Sequence, residues 1–344
     1  MTTTVAAPSL PEVQVTPERI MQFAWGYAIT LVMEAAIRHR VFDVLDSGPM
    51  NIDDLQQATG ASRRGLAAIV NVLVGLNFVS KDLHENYALT PESSAFLVSA
   101  KPSFMGGIIR HTSEHLLPNW LKLNDVVASG KPVHSVNQEQ QGGEFFHEFV
   151  ADIFPMSYAP AQALALHLDL APAGPASVLD LAAGSGVWSI ALAQSAEQIH
   201  VTAVDWPEVI DITKKTVARF GLTARYTFVE GDLATVDFGT GHHVATLGHI
   251  LHSEGEARSR ALIEKVFNAL GPGGTIAIQE FLVNADRTGP LSGLIFAVNM
   301  LVNTDEGDTF SFEEISSWLI EAGFVAPRTL AAPGPSPLIL ATKP

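Results

Sequence analysis

The second half of the chain alternates short apolar segments with longer helical ones, and this pattern constrains the fold more than any other feature. It begins after the Pro- and Gly-containing segment 171–175. Strands that alternate with helices form a parallel sheet with helices packed on its faces. The pattern therefore predicts an α/β, Rossmann-like domain over residues 173–344, with strands at 177–181, 200–204, 226–229, 244–247, 275–280, 327–330 and 338–342.

The first half of the chain has a different pattern, because it begins with a predicted helix that lacks a polar face. Residues 17–40 are apolar on most sides of the predicted helix. Such a helix has to be buried. Since the domain around it is small, we expect a second copy of the chain to cover it.

Helix, turn, helix and hairpin follow in the order of a winged helix. The pattern predicts helices over 52–60 and from Ser62, then strands at 78–80 and 87–89. The second helix starts with Arg63 and Arg64 but carries no basic stripe, so a structural role in dimerisation is favoured over DNA binding. We predict a disordered tail (1–16), a winged-helix-like dimerisation domain (17–100) and a helical linking region (101–172).

The amino-acid composition limits the classes of binding partner that we expect for this chain. The chain has 36 acidic against 20 basic residues, a formal charge of −16. Such a chain repels phosphates and anionic lipid surfaces, so no nucleic acid and no membrane partner is expected. Cysteine is absent from the sequence, which excludes disulfides and thiolate metal sites and fits a cytoplasmic location.

The first predicted strand of the second half runs into a glycine loop. Gly184 and Gly186 remove side chains where the backbone has to approach a ligand, at the position where nucleotides dock in α/β units. Asp205 ends the second strand, 21 residues after Gly184, where an acid can bind both ribose hydroxyls. Ser189 occupies the place of the third glycine of the dinucleotide fingerprint. This substitution weakens the case for NAD binding but does not exclude it.

The third strand adds a further acid. Gly231 and Asp232 follow that strand, and a carboxylate at this edge can accept a hydrogen bond from an adenine amino group. Trp206, directly after Asp205, can pack on the adenine face. We take all three as candidate cofactor contacts.

These motifs, in this order, resemble those of class I S-adenosylmethionine-dependent methyltransferases. Besides the residues already named, they include Asp180 before the glycine loop and the Gly-rich turn 271–274. Together with the winged-helix pattern, the chain from about residue 17 is similar to the small-molecule O-methyltransferases, the family of the caffeic acid and hydroxyindole enzymes.

The resemblance implies a cofactor, S-adenosylmethionine, and a place for each motif around it. Gly184 and Gly186 would lie against its methionine part, Asp205 would bind ribose, and Asp232 with Leu233 would bind adenine. Asp180 would support the loop or reach the amino group through water. An added antiparallel strand closing the sheet and a homodimer formed through the N-terminal domain are also implied.

The fourth strand leads to the candidate chemical site. The carboxyl ends of parallel strands face the ligand crevice, and a histidine there suits removal of a proton from a phenol. In the family a Leu-His pair carries the catalytic histidine, and Leu251-His252 matches it. The family also places a carboxylate at the end of the fifth strand, where this chain has Glu280. The resemblance thus implies His252 as base and Glu280 as its partner.

The chain departs from the family pattern after this histidine. Ser253-Glu254 replaces an acid-aromatic pair, and Asp308 is only the nearest match to a second carboxylate. Carbon or nitrogen methylation, or a reaction without methyl transfer, therefore stays open. A ligand-sensing winged-helix regulator and an NAD oxidoreductase are weaker alternatives. Glu254 and Glu256 are expected to be solvated acids at a helix start.

His249 and His252 have the spacing of a metal-binding pair, but the sequence offers no clear third ligand, so no metal is expected. His249 is instead a candidate contact to the substrate. Histidines 111, 115, 134 and 147 lie in the linking region, and one or two of them are expected to reach the pocket.

The substrate pocket is expected between the linking helices and the segment after the fifth strand. Its aromatic and apolar side chains predict a flat, mostly apolar substrate, and the resemblance implies a phenol or a polyketide-like aromatic. The candidates are Phe146, Phe149, Phe154, Met156 and Tyr158 on one side and Phe296, Asn299, Met300 and Asn303 on the other.

Overall fold

The computed structural model describes residues 15–133, 135, 149–150, 152–171, 174–334 and 336–344. Most of the tail expected at 1–16 therefore lies outside the described residues. The chain divides into two compact units, Met1–Thr90 and Pro91–Pro344. Helix α6 (Pro91–Phe96), which the sequence boundaries assign to the first domain, clusters with the second unit.

Over its described residues, 15–90, the first unit has five helices and a hairpin. Asn51 and Ser62 begin helices α4 and α5, because their side-chain oxygens accept hydrogen bonds from backbone N–H groups of the first turn. The expected order of helix, turn, helix and hairpin is present, while its identification as a winged helix stays a prediction. The elements are α1 (Glu18–Ala24), α2 (Gly26–Arg38), α3 (Val41–Leu45), α4 (Ile52–Thr59), α5 (Arg63–Gly75), β1 (Val79–Lys81) and β2 (Tyr87–Leu89).

The helix expected over 17–40 is broken. Trp25 separates α1 from α2, and the two bend by 41°. Within one chain several of their apolar side chains are exposed, with Ile20 at 72% and Phe23 at 67%, whereas Met33 and Ala36 of α2 are buried. Among the described residues no single helix is long and apolar enough to span a membrane, and only this bent pair passes by length and composition.

Helical segments precede the sheet in the second unit. A π-helical turn, Thr112–Leu116, interrupts them. The α-helices are α6, α7 (Gly106–His111), α8 (Leu117–Trp120), α9 (Leu123–Ser129) and α10 (Phe154–Leu168).

A seven-stranded sheet forms the centre of the second unit, with strand order β5-β4-β3-β6-β7-β9-β8. The neighbours from β5 to β7 pair in parallel, whereas β9 is antiparallel to both β7 and β8. The antiparallel strand β9 therefore lies inside the sheet, between β7 and β8. The resemblance had implied instead that an added antiparallel strand would close the sheet. The strands are β3 (Ala176–Leu181), β4 (Ile199–Asp205), β5 (Tyr226–Glu230), β6 (His242–Gly248), β7 (Leu270–Gln279), β8 (Val325–Leu330) and β9 (Leu338–Thr342).

Helices cover both faces of this sheet, which confirms the predicted α/β class. Successive side chains of a strand point to opposite faces. Val178 accordingly packs in one core with Ile190, and Leu179 packs in the other with Ile263. The helices after the first strand are α11 (Val187–Ser195), α12 (Pro207–Arg219), α13 (Leu251–Ala269), α14 (Leu291–Asn303) and α15 (Phe312–Glu321).

Candidate active site

A cavity of about 600 Å³ opens at the carboxyl ends of strands β3 to β7. Its volume is that of a site for a small organic ligand, and its lining is mostly apolar. Of the candidate residues singled out in the sequence, most line it: Phe149, Met156, Gly184, Asp205, Trp206, Gly231, Asp232, Leu233, His249, His252, Phe296, Asn299, Met300 and Asn303.

The glycine loop turns between β3 and α11 through backbone conformations that favour glycine. Gly184 has φ 55° and Gly186 has φ 75°. Gly184 lies on the cavity, and its N–H donates to Asp205 Oδ2 at 2.8 Å. Gly186 is not part of the lining; a Cβ there would lie 3.2 Å from Thr213 Cγ2, so this glycine allows close packing on α12.

Asp180 lies beneath the loop and outside the cavity lining. Its carboxylate accepts hydrogen bonds from Ser189 Oγ at 2.5 Å and Thr246 Oγ1 at 2.7 Å. Burial raises the pKa of Asp180 to about 6, although both hydroxyls lower it. Of the two roles implied by the resemblance, this geometry fits support of the loop. Ser189, at the place of the missing third glycine, supplies one of the two bonds.

Asp205 joins the ends of two strands. Besides the bond from Gly184, its Oδ1 accepts from the N–H of Trp206 at 2.8 Å. Burial raises the pKa of Asp205 to about 6, against the effect of the two N–H donors. Each oxygen keeps a lone pair with which it can accept a further hydrogen bond.

Asp232 carries a carboxylate oxygen that is free for a ligand. Its Oδ1 accepts from the N–H of Ala234 at 2.7 Å, while Oδ2 has no hydrogen-bond partner among the described residues. Lys265 Nζ donates to the carbonyl of Leu233 at 2.7 Å and so holds this loop. Gly231 precedes it with φ 141°.

His252 and Glu280 form a hydrogen-bonded pair at the other end of the cavity. His252 Nδ1 lies 2.7 Å from Glu280 Oε2, and Oε1 accepts from the N–H of Leu251 at 2.7 Å. Glu280 is buried, which raises its pKa, but His252 outweighs burial and the pKa ends below its usual value. Nε2 of His252 has no hydrogen-bond partner among the described residues.

His249 stands close to this pair in a conformation rare for its type, with φ 61°. Burial lowers the pKa of His249 to about 4, so its imidazole is neutral. Ligand atoms of His249, His252 and Glu280 lie within 4.8 Å of one another, so the structure supplies the third group that the sequence did not reveal. The 2.7 Å contact between His252 and Glu280 is nevertheless the distance of a hydrogen bond.

Two departures from the family pattern lie close to His252. Gly255 has φ 73° and ψ 174°, non-helical values inside α13, directly after Glu254. The expectation of a solvated Glu254 is wrong: it is buried and bonds Arg258 Nε at 2.5 Å. Asp308 is exposed and lies outside the lining, although its N–H donates to the carbonyl of His252 at 2.9 Å.

The apolar wall differs in part from expectation. Phe154 and Tyr158 stack with Phe220 away from the cavity, because α10 turns that face toward the sheet. His111 lines the cavity and stacks on Phe149 with ring centroids 3.8 Å apart. Phe146, His134 and His147 lie outside the described residues.

Three aromatic lining residues were missed in the sequence: Trp120, Trp188 and Phe281. Phe281 had a usable signal, since it directly follows Glu280 at the end of a strand. Its ring lies 4.0 Å from Phe296, centroid to centroid, and 6.1 Å from His252. Phe281 and Phe296 therefore pack on each other and form an aromatic wall beside the histidine.

Two family models match the chain. An O-methyltransferase dimerisation domain matches residues 21–99, and an O-methyltransferase domain matches residues 160–325.

Individual relatives extend over most of the chain. A 3-hydroxy-5-methyl-1-naphthoate 3-O-methyltransferase of Streptomyces sahachiroi is 27% identical over 333 residues, which cover 95% of each chain. An L-tyrosine C(3)-methyltransferase of Streptomyces lavendulae is 31% identical over 228 residues, 64% of this chain and 61% of the relative. A solved structure of a protein from Nostoc punctiforme superposes with a TM-score of 0.88 at 26% identity, covering 96% of this chain and all of its own.

The buried Asp180 generates a prediction about stability and pH. Its pKa lies above the ordinary 3.8 in the folded chain, so ionisation costs folding free energy, and stability falls as pH rises from 3.8 toward 6. In Asp180→Asn this decline should be smaller by about 2 kcal/mol between about pH 4 and pH 7. Urea unfolding at several pH values measures it. Asp211→Asn, at an exposed site, is the control; equal declines in wild type and Asp180→Asn would contradict the assignment.

Proposed function

We propose that this chain, which belongs to the O-methyltransferase family defined by these two domains, transfers a methyl group from S-adenosylmethionine to a hydroxyl of a small aromatic substrate. When bound, the cofactor supplies an electrophilic methyl group on a sulfonium. The chain has to hold the adenosyl part, exclude water and remove a proton from the attacking oxygen.

The strand ends at β3, β4 and β5 fit an adenosyl group. Gly184 offers bare backbone, Asp205 retains lone pairs for ribose hydroxyls, and Asp232 Oδ2 is free for the adenine amino group. Trp206 and Leu233 add apolar surface to the same part of the lining. Gly231 allows the loop to pack closely on Val236, because a Cβ there would come within 2.5 Å of Val236 Cγ1.

The observation that carries the proposed chemistry is the bond between His252 and Glu280. An ionised Glu280 accepts a hydrogen bond from Nδ1–H of His252. The proton of the neutral imidazole therefore stays on Nδ1, and Nε2 is left as the proton acceptor. A hydroxyl is a weak nucleophile until its proton is removed, so a base beside the cavity is the useful group. His252 is thus the proposed base and Glu280 its positioning partner.

The aromatic wall formed by Phe281 and Phe296 supports a flat substrate. The two rings pack on each other, and the ring of Phe296 meets His252 edge-on with centroids 4.9 Å apart. A planar ring packed against this wall would bring a substituent to the histidine. The relative that methylates a hydroxynaphthoate supports an aromatic, polyketide-like substrate class for this chain.

Removing the base should remove turnover and spare cofactor binding. In His252→Ala we expect kcat for phenol methylation to fall by about 10²- to 10⁴-fold, the usual contribution of a general base. Transfer of labelled methyl to a panel of naphthols and hydroxynaphthoates measures it. His200→Ala, on the exposed side of β4, is the control. A rate near wild type in His252→Ala would rule this base out.

Glu280→Gln tests the orientation of the histidine separately. The amide oxygen can still accept from the N–H of Leu251, but the amide nitrogen would then donate to Nδ1 and leave the proton of His252 on Nε2. An imidazole in that tautomer cannot accept a proton from substrate, so kcat should fall by about 10²-fold or more. Calorimetric affinity for S-adenosylhomocysteine should stay unchanged. Full activity in this variant would show that the carboxylate does not set the tautomer.

Carbon or nitrogen methylation is the second candidate. The inward Glu254 after His252 and the relative that methylates a ring carbon of tyrosine favour it. Carbon-13 NMR of the product distinguishes the two candidates, because a methyl group on oxygen resonates far downfield of a methyl group on carbon. Label found only on carbon or nitrogen would replace the first proposal with this one.

We further propose a homodimer formed through the first unit, because α1 and α2 expose several large apolar side chains and the dimerisation-domain model, which matches residues 21–99, includes most of these two helices. Light scattering should give twice the chain mass for wild type. Phe23→Glu should give monomers, whereas the control Leu166→Glu, at a still more exposed position of α10, should not. A monomeric wild type would refute the dimer.

A further inference from the structure

A chain of polar side chains crosses the cavity wall between α8 and α14. Trp120 Nε1 donates to Asn299 Oδ1 at 2.9 Å, and Asn119 Nδ2 donates to Asn303 Oδ1 at 2.9 Å. Asn303 Nδ2 in turn donates to the carbonyl of Asn299 at 2.9 Å and to its Oδ1 at 3.1 Å. Trp120, Asn299 and Asn303 all line the cavity.

The indole of Trp120 decides which way the amide of Asn299 points. An indole N–H can only donate, so the group facing it has to be the amide oxygen. Asn303 supplies a second donor to the same oxygen. The two donors therefore fix which end of the Asn299 amide is the oxygen and which is the nitrogen, an assignment that is otherwise ambiguous for an asparagine side chain.

This orientation leaves a donor for the cavity. Both N–H groups of Asn299 Nδ2 lack a hydrogen-bond partner among the described residues. The residue is only 9% exposed, and Nδ2 is open to the cavity that Asn299 lines. A ligand oxygen that accepts from this donor, inside a mostly apolar cavity, gains a net hydrogen bond. Asn299 presents no free acceptor, because its Oδ1 already accepts two hydrogen bonds.

The donor lies about one helical turn from a ring that contacts the proposed base. Phe296, whose ring meets His252, lies three residues before Asn299 on α14. Three residues correspond to a rise of about 4.5 Å along a helix. A bicyclic aromatic that places its hydroxyl at His252 can reach Asn299 with an oxygen on its second ring.

We propose that this cluster selects substrates carrying a neutral carbonyl oxygen, such as a ketone or quinone, on the ring away from the methylated hydroxyl. The inference rests on the proposed function and narrows its substrate class. Trp120 is then a positioning residue, which acts through Asn299. A carboxylate suits the site less, because a single neutral amide does not offset burial of a charge, and Arg258 is already paired with Glu254.

Ligand binding tests the inference without requiring turnover. Calorimetry on protein saturated with S-adenosylhomocysteine compares a bicyclic phenol with a ketone on its second ring (a hydroxytetralone) with the tetrahydronaphthol that lacks the ketone. Wild type should bind the ketone about fivefold more tightly, the net worth of one neutral hydrogen bond.

Three variants separate polarity from packing. Asn299→Asp, which exchanges the donor for an acceptor, should reverse the preference and favour the corresponding diol over the ketone. Trp120→Phe keeps the ring but frees the amide to turn, so the ketone preference should shrink by about half or more without loss of affinity for the tetrahydronaphthol. Leu121→Ala, an exposed neighbour, should keep the wild-type ratio.

Equal affinity of wild type for the two ligands, or no binding of either, would overturn the inference. So would a Trp120→Phe variant that weakens both ligands alike, since that result indicates a packing role. Failure of the proposed function would give a different result, namely a preference for the ketone ligand without any methyl transfer. That result would refute the methylation and leave the inferred selectivity for a carbonyl intact.

Discussion

The carboxylate of Asp205 is the interaction on which the geometry of the cavity depends. It accepts from the N–H groups of Gly184 and Trp206 and so fastens the loop after β3 to the end of β4. Thr213 Oγ1, on α12, holds the same loop from behind through the carbonyl of Gly184 at 2.6 Å. With these bonds in place, bare backbone and an acid face the cavity side by side.

Buried acids recur at the strand ends, and each has a different environment. Asp180 is enclosed by two hydroxyls below the loop, Asp205 by two backbone donors, and Glu280 by a histidine and backbone N–H groups. Burying a carboxylate is costly unless it is hydrogen-bonded, so such a set is a feature of a site more than of a stable core. Only Glu280 faces a group that can become a cation, and it is the one of these three acids whose pKa falls.

Much of this arrangement follows from sequence, because it depends on chain order and strand ends. Apolar runs place β3 to β7, and their carboxyl ends bring Gly184, Asp205, Asp232 and His252 to one edge. The pairing of His252 with Glu280 was expected from the family resemblance, and the structure brings the two within hydrogen-bond distance.

What the sequence did not reveal depends on local backbone or on contacts between distant segments. Glu254 is buried next to Gly255, whose non-helical backbone inside α13 is a conformation that glycine permits but does not dictate. The bonds from Asn119 and Trp120 to α14 span 184 and 179 residues, and no periodicity signals them. The interior position of β9 likewise depends on pairing with both β7 and β8.

Calorimetric titration with S-adenosylhomocysteine tests the central claim most directly, because it asks whether the loop joined to Asp205 is a nucleoside site. The account predicts one binding event per chain in wild type, and affinity at least about tenfold lower in Asp205→Ala, where the proposed ribose contact and the loop's anchor are both lost. Folded wild-type protein that gives no binding heat at several temperatures, or an Asp205→Ala variant that binds as tightly as wild type, would contradict it.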